Sequence, residues 1–424
     1  MEEAKCSRVK VESILSVVSG KPTEPGKVHK LCTLDRAMGS HTIHIVFYYA
    51  SNPFLVGPMP SDLGNLRITL SELLDEYPYV TGRLTCEPEN GEWLIKFNDA
   101  GVRMLQATVD ATIDEWLGSV DGVDERDLTA WEEMPNDPSF WSPFRVQINK
   151  FKCGGLALGL SCTHMHTDIT SATMLFKAWS EVHRRQPPTN PPIFDLPAPP
   201  PPPPTPTPSP PTPTTPTKMA TATLKFSPAA VDKCLSQAPA DSTPFDALAA
   251  LFWRRVAALS PTKRSLSICV DSRDPSQHAY FGNALKFSTL TVEADDLLSG
   301  GLGQVAGLIH RHVAGMKKDE FPSEINSTGG MYGSVALTCF NAEHLVEAQS
   351  GRGIMYDAEF NKGERPVHVS YSVGKVGGEG LIMVMPAAEG RTVTVTLPEE
   401  QVAELCKDQV ILDLEPTMIL CGRR

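Results

Sequence analysis

The segment Ser161-Cys162-Thr163-His164-Met165-His166-Thr167-Asp168 decides how the chain is read. It follows an apolar run, Gly154–Cys162, of strand length, and precedes Ser171–Arg185, whose spacing predicts a helix. Backbone pairing ends at such a junction, and side chains turn into whatever cleft lies above the sheet. Two histidines and a carboxylate stand there within five residues. Three chemistries fit them. His164 can act as a general base, since a neutral imidazole with a pKa of about 6.5 takes a proton from a hydroxyl or amine at pH 7. His164, His166 and Asp168 can instead be metal ligands in a His-x-His-x-Asp loop. Such loops usually carry a further histidine after the aspartate, where this chain has Ile169. Or the cluster is structural, with Asp168 capping the helix and the histidines satisfying local backbone.

Working outward, strands and helices alternate on both sides. Thr42–Ala50, Glu92–Phe97 and Phe144–Cys162 read as strands, the last a hairpin turning at Cys153-Gly154-Gly155. Leu66, Leu70, Leu73, Leu74 and Tyr77 keep helical spacing up to Pro78. Later, Thr243–Leu259 and Glu399–Lys407 read as helices, and Ser242 or Thr243 caps the first. Leu266–Val270, Leu285–Val292, Val335–Phe340, Val367–Ser372, Leu381–Met385 and Thr392–Leu397 read as strands. Between the two sets, 17 of the 37 prolines fall in Pro187–Pro216, and Pro199–Pro204 is unbroken proline. Proline lacks an N–H and has a fixed φ, so this tract predicts an extended spacer. The expected organisation is therefore an N-terminal lobe over 1–186, a crossover linker over 187–217, and a C-terminal lobe over 218–424, each α/β with mixed sheets flanked by helices.

The composition bounds the function. The 424 residues are 41% hydrophobic and 21% charged, ordinary for a globular chain of two or three domains. A formal charge of −12 argues against nucleic acid as the main partner, because phosphate contact needs a cationic surface. No stretch approaches the ~18 apolar residues that a membrane span requires. Ten cysteines without a Cys-x-x-Cys pair read as reduced thiols. With no signal-peptide pattern after MEEAKCSRVK, the expected compartment is cytosolic.

His164 and Asp168 after a Gly-Gly hairpin form a His-x-x-x-Asp pattern that resembles the plant BAHD acyltransferases. The resemblance runs nearly end to end. It includes Pro22-Thr23, Leu31-Cys32-Thr33-Leu34-Asp35, Gly82-Arg83-Leu84, Asn98-Asp99-Ala100-Gly101-Val102, Gln147, Trp253-Arg254, Val270-Asp271-Ser272-Arg273 and Tyr280-Phe281-Gly282-Asn283. It implies two chloramphenicol-acetyltransferase-like lobes with a channel between them. Acyl-CoA would enter from one face and the acceptor from the other, and no cofactor would be bound permanently. His164 would deprotonate the acceptor in mid-channel. Asp168 would be structural, paired with Arg273, since a buried carboxylate needs such a partner.

Two departures stand out. Ile169 replaces the glycine that usually follows the aspartate. The family's Asp-Phe-Gly-Trp-Gly motif, whose tryptophan N–H is implied to support the oxyanion, falls at Ser370-Tyr371-Ser372-Val373-Gly374. Val373 has no donor, and a lost oxyanion donor typically lowers the rate by about 10²–10³. Tyr371 is the nearby hydroxyl, read either as a replacement donor or as packing. Gly374, Gly377, Gly378 and Gly380 read as a hairpin turn rather than a phosphate loop. An intact first motif with a degraded second one is similar to the Eceriferum-2 and Glossy-2 branch. Met331-Tyr332-Gly333-Ser334, Gly363–Ser370 and Arg391–Pro398 resemble that branch too. It implies a role in cuticular wax synthesis, extending very-long-chain acyl-CoA with the elongase condensing enzyme, a 3-ketoacyl-CoA synthase, at the cytosolic face of the endoplasmic reticulum. The alternative is a free-standing acyl-CoA-dependent O- or N-acyltransferase.

Overall fold

The strand that leads into the key segment, Leu156–Thr163, is buried along its whole length and lies inside a sheet. Such a strand needs apolar neighbours on both faces, which explains the continuous run Leu156-Ala157-Leu158-Gly159-Leu160 rather than an alternating one. The computed structural model describes residues 7–54, 62–87, 91–119, 125–194, 217–260, 264–273, 279–316 and 331–420. Residues 195–216, most of the proline-rich linker expected over 187–217, lie outside these.

Leu156–Thr163 pairs antiparallel with Phe144–Phe151 on one side and Thr42–Tyr49 on the other. Val102–Val109 joins parallel to Phe144–Phe151, and Val9–Val17 closes that edge. The sixth strand, His368–Gly374, comes from the C-terminal half and pairs antiparallel with Thr42–Tyr49. The sheet thus crosses the division drawn at 187–217. A second sheet of seven strands runs Leu285–Thr291, Ser265–Asp271, Leu337–Asn341, Leu381–Pro386, Arg391–Pro398, Met219–Phe226, Thr417–Ile419. Its three strands Ser265–Asp271, Leu337–Asn341 and Leu381–Pro386 are mutually parallel in order, and the rest pair antiparallel, so both large sheets are mixed.

Helix Ile169–His183 starts at the Asp168 cap and packs on helix Asp62–Leu74. Helix Pro244–Leu259 starts in a capping box, with Thr243 as the cap and Asp246 as its reciprocal acceptor. One core spans the six-stranded sheet and the facing residues Phe287, Tyr332, Phe340, Tyr371 and Met383 of the C-terminal half. A separate core, including Leu248, Trp253, Ile268 and Val395, lies under the seven-stranded sheet. The elements expected at 42–50, 144–162, 243–259, 266–270, 285–292, 381–385 and 392–397 are present within a residue or two.

Close packing is tight where Leu128, at the end of the short turn Glu125–Leu128, lies over the strand Leu156–Thr163. A Cβ on Gly159 would stand 2.0 Å from the Leu128 carbonyl oxygen. Neither backbone can yield, so Gly159→Ala is expected to lower the unfolding free energy by about 1–3 kcal/mol or more in urea titrations. Wild-type stability in that variant would contradict this close approach.

Candidate active site around His164

Strand Leu156–Thr163 delivers His164 to its end, and the His164 N–H donates to the His41 carbonyl at 3.1 Å. The imidazole is 0% exposed. Its Nδ1 lies 3.0 Å from Asn283 Oδ1 and its Nε2 3.2 Å from the Tyr332 hydroxyl. The network fixes the tautomer. The Asn283 amide donates to Asp35 Oδ1 at 2.9 Å and to the His164 carbonyl at 2.8 Å. Its oxygen therefore faces the ring and accepts, so Nδ1 carries the hydrogen. Nε2 is bare and accepts from the tyrosine. Burial holds the His164 pKa below its ordinary value, although the Asp168 charge and the Asn283 hydrogen bond pull the other way. The ring is neutral at pH 7, as a proton acceptor must be. The channel implied by resemblance is not open at this residue, because protein side chains surround it.

The structure brings Asp168 and Arg273 together. Arg273 Nη2 stands 3.0 Å from Asp168 Oδ1 and 2.9 Å from Oδ2, with side-chain exposures of 1% and 0%. Asp168 Oδ1 also caps the helix by accepting from Ser171 N, and Oδ2 accepts from Ala284 N, both at 2.9 Å. The carboxylate faces the guanidinium and these amides and makes no hydrogen bond to the His164 ring. Arg273 further donates to the Tyr280 and Gly282 carbonyls and to Asp271. Burial opposes the guanidinium's charge, but Asp168 and then Asp271 outweigh it and hold its pKa above the ordinary value.

The remaining candidates lie elsewhere. Ser370, Tyr371, Ser372, Val373 and Gly374 form a regular strand, in register with Val46 to Thr42. The Tyr371 hydroxyl is 3.1 Å from Thr173 Oγ1, and Ser370 Oγ is 2.9 Å from His368 Nε2. Neither hydroxyl is directed at His164. His166 is buried edge-on to Phe144, and neither ring nitrogen has a hydrogen-bond partner. Among the described residues no three His, Cys, Asp or Glu side chains are placed to hold a metal ion. Ile169 is buried.

Asn283, Asp35, His41 and Tyr332 were not assigned to the site from sequence. All but His41 lay in stretches quoted for resemblance, but nothing local signals that an asparagine 119 residues away contacts His164.

Two outcomes are expected. Arg273→Ala leaves Asp168 buried without its cation, and Asp271 with only the side chains of His344 and Thr170, and is expected to destabilise the fold by about 3–5 kcal/mol in denaturant unfolding. A loss below 1 kcal/mol, on the order of a surface pair, would contradict the role of this pair. The second concerns acid. Burial pushes His41 down to about 4, and His166 and His368 to about 3. Each is neutral when folded but binds a proton near its ordinary value of about 6.5 when unfolded. The unfolded state therefore holds more protons below that point. Stability is full above about pH 6.5 and falls progressively toward the folded values, by up to about 1.4 kcal/mol per pH unit for each histidine. Asp35, whose carboxyl burial raises, has the opposite sign and offsets only part. Unfolding free energies flat between about pH 7 and pH 5 would contradict this.

The profile of the Transferase family matches residues 8–411. Protein ECERIFERUM 2 of Arabidopsis thaliana is 26% identical over 419 residues, covering 93% of this chain and 96% of that protein. The crystal structure of vinorine synthase superposes with a TM-score of 0.71 at 20% identity, over 93% of this chain and 96% of that one. TRI101 of F. sporotrichioides, solved with coenzyme A and T-2, gives 0.65 at 15% identity, over 93% and 100%. Their fold is the α/β arrangement of two mixed sheets described above. With the profile spanning nearly the whole described chain, this protein belongs to the Transferase family, that of the BAHD acyltransferases.

Proposed function

We propose that this chain promotes elongation of very-long-chain acyl groups for cuticular wax, acting with the elongase condensing enzyme, a 3-ketoacyl-CoA synthase. The observation that carries the reading is the state of His164. Its ring is fully buried, and both nitrogens are already bonded inside the protein. The position matched to the family's tryptophan is Val373, which has no side-chain donor and lies in the strand His368–Gly374. A family fold without an accessible base suits binding better than turnover. The likeness to ECERIFERUM 2, and to the branch that name represents, supports wax synthesis as the setting. The ligand in this proposal is very-long-chain acyl-CoA, by analogy with the coenzyme A held by the TRI101 structure. Among the described residues no helix is long and apolar enough to cross a membrane, so placement at the cytosolic face of the endoplasmic reticulum rests on the partner. The same proposal retains lobes at 1–186 and 218–424, with His368–Gly374 as the strand that crosses.

A second reading, an acyl-CoA-dependent O- or N-acyltransferase, is favoured by the tautomer. With Nδ1–H held by Asn283 and Nε2 bare, His164 is set to accept a proton from an alcohol or amine. The nucleophile would attack the thioester carbonyl, and the departing coenzyme A thiolate would recover the proton. In this reading Asp168 and Arg273 position the loop that carries His164 rather than the ring itself.

His164→Ala separates the two. In a host carrying the condensing enzyme, the variant is expected to give the same very-long-chain lipid profile as wild type. A folded variant that loses the chain-length effect would overturn the accessory reading.

A further inference from the structure

Three stretches far apart in the chain converge on one tyrosine. Tyr332 is 0% exposed, and its hydroxyl faces the bare Nε2 of His164. Its ring stacks edge-on against Phe287 and His41, with centroids 5.7 and 5.1 Å away. The buried Cys269 thiol lies beside the hydroxyl.

The backbone of Tyr332 is held as tightly as its ring. His41 Nε2 accepts from Met331 N at 2.9 Å and from Tyr332 N at 3.3 Å, while His41 Nδ1 donates to the Gly374 carbonyl at 3.1 Å. Gly377 N donates to the Tyr332 carbonyl at 2.8 Å, and Glu379 N to the Gly333 carbonyl at 2.9 Å. Gly333 has φ +69°, and a Cβ there would stand 2.7 to 2.8 Å from the Gly377 and Gly380 backbones. A Cβ on Gly377 would stand 2.5 Å from the Gly333 oxygen. Only glycines allow the two turns to lie this close. The glycine-rich hairpin after the degraded motif is thus a seat for the Tyr332 turn.

We propose that Tyr332 is the specificity-determining residue of this site: its phenol occupies the position of an acceptor hydroxyl at His164 and so withholds the base from external acceptors. The inference deepens the accessory reading by naming what keeps the base from substrate. It requires that a smaller side chain restore access. In Tyr332→Ala, water or butanol would give its proton to Nε2, and its oxygen would bond to the thioester carbonyl carbon. The carbon–sulfur bond would break, and the coenzyme A thiolate would take the proton. The products are free acid or butyl ester, and coenzyme A.

The test uses the purified full chain with palmitoyl-CoA, with and without butanol, following thiol release and ester by mass spectrometry. General-base catalysis contributes about 10²–10⁴-fold and a missing oxyanion donor removes about 10²–10³. A gain on the order of tenfold over wild type is therefore expected in Tyr332→Ala. It should vanish in the double variant with His164→Ala. A folded Tyr332→Ala no faster than wild type, or a gain that survives loss of His164, overturns the proposal. Should that variant fail to fold, Tyr332→Phe decides. It keeps the ring but removes the donor, so the ¹⁵N resonance of His164 Nε2 must move. An unmoved resonance overturns the proposal. The accessory reading fails separately, on the cellular lipid profile of His164→Ala.

Discussion

One buried cation fastens the site to the frame. Arg273 sits after the strand Ser265–Asp271 of the seven-stranded sheet, and Asp168 ends the turn beyond the strand Leu156–Thr163 of the six-stranded sheet. Their ion pair is almost wholly out of water. Attraction in such a place hardly exceeds the desolvation it requires, so the pair adds little net stability. Its effect is on geometry. The guanidinium also holds the Gly282 and Tyr280 carbonyls, and so fixes the loop whose next residue, Asn283, orients the His164 ring. The aspartate of the His-x-x-x-Asp pattern acts on the histidine through an arginine and an asparagine supplied by the other half of the chain.

The polar network inside the molecule runs on from that point without interruption. Asp35 takes the Asn283 amide, Asn283 takes the His164 Nδ1–H, and His164 takes the Tyr332 hydroxyl. Each member satisfies its neighbour, which is the condition under which buried polar groups rigidify a core rather than weaken it. His166, two residues from His164, is the counter-example. Both its nitrogens are buried without partners, so it packs as a neutral ring and its proximity in sequence carries no chemistry.

The frame was legible from sequence wherever burial is two-sided. Leu156–Thr163, Thr42–Tyr49 and Leu381–Pro386 are fully buried strands, and their apolar runs stand out. Val9–Val17 did not, because it is an edge strand whose side chains are mostly exposed on both faces. Met219–Phe226 was hidden by its threonines and alanines, two of which pair as Thr221–Thr396 and Thr223–Thr394 across the sheet. In the site, the junction residues His164 and Asp168 and the partner Arg273 were legible, the last through resemblance. Tyr332 and His41 were not assigned, since their contacts span 168 and 290 residues of chain. Periodicity reports which face of an element is buried, and it says nothing about what meets that face.

The sixth strand of the first sheet also sets an order of events during synthesis. Thr42–Tyr49 emerges from the ribosome early, yet its outer neighbour, His368–Gly374, is made some 320 residues later. At about 5–20 residues per second, the edge stands unpaired for roughly a quarter of a minute to a minute. Its residues, Thr-Ile-His-Ile-Val-Phe-Tyr-Tyr, are β-branched and aromatic and carry no full charge, the kind of edge that recruits foreign strands. The nascent chain therefore carries that edge without its outer partner until His368–Gly374 has been made.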